Sequence, residues 1–146
     1  MRTFVILLLS CLLACTKNRN QEMKLIPLSP KMYEFSVDEK LNKIEYFFLE
    51  GANEIPENHK LIEKLVAQEA LNIDNYNAFS IYIYKKTDRF NKEYKGDNES
   101  FDGYNRDILA YIRYTKGKQD TFYFLENGKV IYDNFKKEKV NFEFDE

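Results

Sequence analysis

The chain has 146 residues, with 22 basic side chains against 24 acidic ones and a net charge of −2. That balance argues against nucleic-acid binding, which calls for a basic face and a high pI, and the length suits one domain able to bury a real hydrophobic core. Both cysteines lie within the first fifteen residues, so the rest of the chain has no disulfide, thiol nucleophile or Cys-based metal site.

The N-terminus carries Arg2, then an apolar run from Phe4 to Leu13 interrupted only by Ser10 and Cys11, then the small Ala14 before Cys15. This is the layout of a secretory signal. About ten apolar residues are too few to cross the roughly 30 Å hydrocarbon layer, which takes about 20. The ending Leu12-Leu13-Ala14-Cys15 resembles the lipobox of bacterial lipoproteins, a resemblance confined to residues 1–15. It implies that the Cys15 thiol is diacylated, that the signal is cut before it, and that lipid on Cys15 anchors the protein to a membrane of the cell envelope. A second match, Leu8-Leu9-Ser10-Cys11, leaves a shorter apolar region and is the weaker cleavage site. Thr16 stands where an Asp would favour inner-membrane retention in diderm bacteria, so the outer membrane is expected there.

Residues 16–31 read as a flexible tether, polar at first and then broken by Pro27 and Pro30, and residues 32–146 as one small domain. Residues 33–49 carry two patterns. Tyr33, Phe35 and Val37 alternate, as do Ile44, Tyr46 and Phe48, which suits a hairpin. Ser36 with Glu39 would make a capping box, and Val37, Leu41, Ile44 and Phe48 a narrow helical stripe. The β-formers of Ile-Glu-Tyr-Phe-Phe-Leu favour strands.

Residues 57–72 predict a helix, opened by Pro56 and Glu57, with Leu61, Ile62, Leu65, Val66, Ala70 and Ile73 on one face. Glu69 shares that face, and a carboxyl there could serve as a general acid if buried. A helix end emerging from the core, with Glu69 in solvent, is the simpler reading. The only histidine, His59, falls in the first turn and is expected to be solvated surface.

The remainder predicts antiparallel sheet: strands at 78–85, 107–115 and 120–126, the latter two joined through Lys116-Gly117, and then a final hairpin turning at Asn127-Gly128, a pair suited to a type I′ turn. Between them, residues 91–106 concentrate Glu93, Asp97, Glu99 and Asp102 with two glycines, but not in the order of a calcium-binding EF-hand loop. A polar connection between strands is the expectation, with no metal and no cofactor. Ideal turns at Lys116-Gly117 and Asn127-Gly128 would pair Ile112 with Thr121, Arg113 with Asp120, Leu125 with Val130 and Tyr123 with Tyr132. One face then carries Ile108, Ala110, Ile112, Tyr114, Tyr123, Leu125, Val130 and Tyr132, and is assigned to the helix. The other carries Leu109, Tyr111, Phe122, Phe124 and Ile131, with Arg113 beside them, and is the candidate binding face. A one-residue change of register reverses such an assignment.

The expected fold is therefore α+β, one amphipathic helix on a twisted antiparallel sheet of four to six strands. The expected function is a non-enzymatic, lipid-anchored binding protein with a protein partner, an inhibitor or immunity lipoprotein or an accessory subunit of an envelope complex. The alternative is a small envelope hydrolase or glycan-binding protein using Glu69 with acidic residues of the 91–106 loop, where two carboxylates about 5–9.5 Å apart would be needed for glycoside chemistry.

Overall fold

The computed structural model describes residues 23–51, 59–88 and 104–145. The signal region with Cys15, residues 16–22 of the tether, and Glu93, Asp97, Glu99 and Asp102 lie outside them. The described chain is α+β: helix α1 (His59–Glu69) and strands β1 (Lys24–Val37), β2 (Lys40–Glu50), β3 (Ala78–Lys85), β4 (Ile108–Thr115), β5 (Lys118–Glu126), β6 (Lys129–Asp133) and β7 (Glu138–Glu143). Among the described residues these form one seven-stranded sheet in chain order, more strands than the four to six expected. The strand beyond six is β7, formed by the charged C-terminal segment.

Residues 33–49 resolve as a hairpin. Val37 pairs with Lys40 across a two-residue turn in which Asp38 and Glu39 have φ of 50° and 63°. Ser36 is therefore a strand residue rather than a helix cap. The strand also begins earlier than expected: Lys24 pairs with Glu50 and Leu25 with Leu49, so residues 24–31 belong to the sheet rather than to a tether. The prolines do not prevent this because β1 is an edge strand and its register shifts between Pro27 and Met32, where a missing N–H is tolerated.

All neighbouring strands are antiparallel except β2 and β3, which run parallel. The expected wholly antiparallel sheet is thus corrected at one place. A parallel pair needs a long crossover, and α1 with its flanking segments supplies it. The helix is shorter at its C-terminal end than its pattern predicts. Ala70 N–H still donates to Val66 O at 2.9 Å, but Asn72 turns left-handed (φ 57°) and starts a short 3-10 turn over Ile73–Asn75. Asn adopts that backbone region more readily than most residues.

The sheet separates two hydrophobic layers. On the helix side, Ile62 and Val66 pack with Phe47, Leu49, Phe79, Ile81, Ile83, Leu109, Ala110, Ile112, Phe122 and Phe124. On the other side, Tyr46, Tyr82, Tyr84, Tyr104, Ile108, Tyr111, Leu125 and Val130 are buried. This is not the expected division. Bulges at Leu109 (between Ile83↔Ala110 and Tyr84↔Ile108), Asp120 (between Arg113↔Thr121 and Tyr114↔Gln119) and Ile131 (between Leu125↔Val130 and Phe124↔Tyr132) each insert one unpaired residue. Each such residue resets the in–out alternation, so Ile112 pairs with Phe122, and Tyr132 with Phe124. The predicted Leu125–Val130 pair holds, because it lies between the Asn127-Gly128 turn and the first bulge beyond it.

Candidate functional site

The residues expected to form one binding face are divided by these bulges. Phe122, Phe124 and Leu109 point to the helix side and are buried there; Phe124 is fully enclosed. Tyr111 and Arg113 are on the opposite side, and that side holds the site.

A row of tyrosines runs across the sheet to it, of which Tyr111 and Tyr123 line the cleft. Tyr46, Tyr82, Tyr111 and Tyr123 are successive register partners across β2, β3, β4 and β5. Ring centroids are 5.5 Å apart for Tyr46–Tyr82 and 4.9 Å for Tyr82–Tyr111, the spacing of stabilising cross-strand aromatic pairs. The Tyr111 hydroxyl lies 3.4 Å from Ser80 Oγ.

The wall comes from the C-terminus. Phe142 meets the Tyr123 ring edge-on at 5.6 Å, and Phe144 meets Tyr111 at 5.1 Å. Phe144 follows β7, three strands from β4, and a flat sheet would hold such strands roughly 14 Å apart at about 4.8 Å each. The contact therefore requires a concave face. Phe144 N–H donates to Gly128 O at 3.0 Å and fixes the segment in this position. Tyr111, Arg113, Thr121, Tyr123, Phe142, Phe144 and Asp145 enclose a cleft of about 440 Å³, within the size range of ligand pockets.

Arg113 is the cation of this cleft, and its side chain is 47% exposed. Its Nε–H donates to Asp120 Oδ1 at 3.0 Å. Asp120 is the extra residue of its bulge, which brings its carboxylate to the same side as Arg113 and Thr121 instead of the opposite face. Thr121 Oγ1 donates to Oδ1 at 2.8 Å and Thr115 Oγ1 to Oδ2. Burial alone would raise the Asp120 pKa, but the hydrogen bonds from Thr115, Arg113 and Thr121 outweigh it and hold the carboxyl below its ordinary value. The same bond to Asp120, with Tyr111 alongside, raises the Arg113 pKa. The result is a guanidinium held by Asp120 and by the Tyr111 hydroxyl, in an aromatic surround. The predicted Arg113–Asp120 contact forms, then, although the backbone partner of Arg113 is Thr121.

Of the residues of the alternative reading, Glu69 alone lies among the described residues. Glu69 sits half-buried at the end of α1, and the acidic residues between 91 and 103 lie outside the described residues. Among the described residues, no group of three or more His, Cys, Asp or Glu is placed to hold a metal ion, and no helix is long and apolar enough to cross a membrane.

His59 departs from its expected solvated position. Its ring stacks on Phe124 at 4.1 Å and touches Tyr132 at 4.6 Å. Burial, and then the Lys137 charge, lower its pKa, while Glu63 acts against them. Glu63 accepts from Asn134 Nδ2 at 2.7 Å and from Lys137 Nζ, tying the β6–β7 turn to the helix. A second feature absent from the sequence reading is the buried pair Lys43–Glu45 on the helix side of β2, 2.7 Å apart. Lys43 Nζ lies over the rings of Phe79 and Tyr76 at 5.0 and 5.3 Å. Tyr76 OH donates to Glu34 at 2.7 Å, which raises the Tyr76 pKa. Alternation in β2 marks Lys43 and Glu45 as facing with Phe47 and Leu49, a signal that was legible.

No family model, curated protein or solved structure matches the chain.

Proposed function

We propose that the chain is a lipid-anchored, non-enzymatic binding protein of the bacterial cell envelope, holding a protein partner in the concave cleft of its tyrosine face. The observation that carries this reading is the oriented Arg113 in its ring of Tyr111, Tyr123, Phe142 and Phe144. Arg and aromatic side chains are the residue types that dominate protein-binding energetics. Phe142 is 43% exposed, so part of this apolar wall faces solvent. The lipobox-like residues 12–15 support the anchoring, with Cys15 as the lipidated residue. An inhibitor of an envelope toxin or hydrolase and an accessory subunit of an envelope complex both fit a small tethered domain with one recognition cleft.

Two measurements test the two parts. Cys15→Ala should move the protein from the membrane fraction to the soluble fraction and abolish palmitate labelling; persistence of both would remove the anchor. Affinity capture from envelope extract should retain a protein on the wild type and lose it on the Arg113→Gln/Phe142→Ala variant, with folding checked by circular dichroism. Equal retention by both would place binding elsewhere.

A further inference from the structure

A second pocket lies at the rim of the helix side. Glu63 of α1, Tyr114 and Gln119 from the ends of β4 and β5, and Asn134, Phe135 and Lys137 of the β6–β7 turn line a space of about 270 Å³. That falls just below the roughly 300–1,000 Å³ of pockets for drug-sized ligands, which suits an occupant of a single ring.

Its charges are already matched and fixed. Asn134, 4% exposed, donates from Nδ2 to Glu63 Oε1 at 2.7 Å and accepts at Oδ1 from Lys137 Nζ at 3.1 Å. Lys137 Nζ also donates to Glu63 Oε1, and this bond, followed by that from Asn134, holds the Glu63 carboxyl below its ordinary pKa. Glu63 and Lys137 are the charged residues of the described lining, and they cancel. An ionic occupant would meet no unmatched counter-charge.

Hydrogen-bonding capacity is nevertheless left over. Glu63 Oε2 and the third N–H of Lys137 take no part in the triangle with Asn134. From the sheet, Tyr114 brings a hydroxyl and Gln119 an amide that bond to no other described residue. Burial raises the Tyr114 pKa, so the hydroxyl keeps its proton to donate. Donors and acceptors are thus mixed around one small space. A peptide group carries its donor and acceptor at opposite ends, whereas each sugar hydroxyl is both at once and turns to suit either kind. A pyranose also has a face of C–H groups, for which Phe135, 53% exposed, offers an open aromatic ring.

We propose that this pocket binds one neutral sugar residue of a glycan, with its hydroxyls shared among Glu63, Lys137, Tyr114 and Gln119 and its C–H face on Phe135. The site is separate from the Arg113 cleft and does not depend on it.

The test is saturation-transfer NMR titration of the full chain, in micelles of a detergent without a sugar headgroup. The probes are maltose, lactose, N,N′-diacetylchitobiose and cellobiose, with cellobiouronic acid as the charged counterpart of the last. At least one neutral disaccharide should bind the wild type, and the acid should bind no better than cellobiose. Tyr114→Phe and Gln119→Ala should each weaken the bound sugar roughly fivefold, about the worth of one hydrogen bond, with thermal midpoints confirming the fold. Glu63→Gln leaves the Lys137 charge unmatched and should shift preference towards the acid. Arg113→Gln should change nothing. Binding of none of these sugars would overturn the proposal, as would a wild-type preference for the acid or an affinity that survives both Tyr114→Phe and Gln119→Ala. Loss on Arg113→Gln instead would move the sugar into the cleft and equally overturn it.

Discussion

The two faces of the sheet are built from the same strands and both bury aromatic residues, but only one of them also keeps an aromatic wall open to solvent. On the helix side, Phe79, Phe122 and Phe124 are almost wholly buried under α1. Opposite, tyrosines line up across β2 to β5 and end in a cleft where Phe142 stays partly exposed and an arginine is poised. Aromatic content alone therefore does not identify a binding surface. What distinguishes the second face is the set of polar groups arranged around a cleft at one end of its buried tyrosines.

The contrast can be broken most forcefully at Phe124. Phe124→Ala should destabilise the protein by about 3–5 kcal/mol, the usual cost of emptying a buried aromatic site, whereas Phe142→Ala should lie within about 1 kcal/mol of wild type, given its exposure. Urea unfolding of the two variants side by side measures the difference. Similar losses would mean that the cleft wall is core.

A comparable effect is expected at Glu45, which is 4% exposed and has one carboxylate oxygen without a hydrogen-bond partner. Removing it leaves Lys43 buried without its carboxylate, so Glu45→Ala should cost about 3 kcal/mol or more. The double replacement Lys43→Met/Glu45→Leu should recover most of that loss in the same unfolding assay. A double variant no better than the single one would show that the pair itself is required for the packing of β2.

Gly117→Ala should give a smaller loss, about 1 kcal/mol or somewhat more. Gly117 has φ of +74°, and an added Cβ would stand 1.9 Å from Asp74 Oδ1. The side chain of Asp74 can move, but the backbone conformation still disfavours an L side chain. A lowered thermal midpoint with an unchanged spectrum would confirm a local effect at the turn.

The smallest effect concerns pH. The folded protein depresses the His59 pKa, so the unfolded chain binds the proton more readily. This contribution to stability is present above pH 6.5 and declines as pH falls through that value towards the lower folded pKa. Urea midpoints at pH 7.5 and 5.5 should therefore fall further for wild type than for His59→Phe. A parallel decline in both proteins would assign the pH dependence to other groups.

Much of the local architecture was legible in the residues. The Asn127-Gly128 turn, the helical stripe through Ile62 and Val66, and the alternation on either side of Asp38-Glu39 each declare themselves over short distances. The helix–sheet assignment of the faces was not legible, because it depended on bulges at Leu109, Asp120 and Ile131 that no composition signal marks. Ile131 and Leu109 read as ordinary strand residues, and Asp120 as an ordinary partner for Arg113. Tyr111 and Arg113 do share a face, but the sequence pattern grouped them with Phe122 and Phe124, which the shifted register turns to the other side. The parallel β2–β3 pair was equally hidden, since short-range patterns carry no information about the direction in which a crossover returns.

Site-specific photo-crosslinking in intact cells tests the central claim, that the face opposite the helix is the one that meets a partner. A photoreactive phenylalanine would replace Phe142 at the cleft wall or, in a second strain, Lys64 on the exposed side of α1. The account predicts a discrete protein adduct from position 142 that disappears on adding Arg113→Gln, and none from position 64. An adduct from position 64 alone, or one at 142 that is indifferent to Arg113, would contradict it.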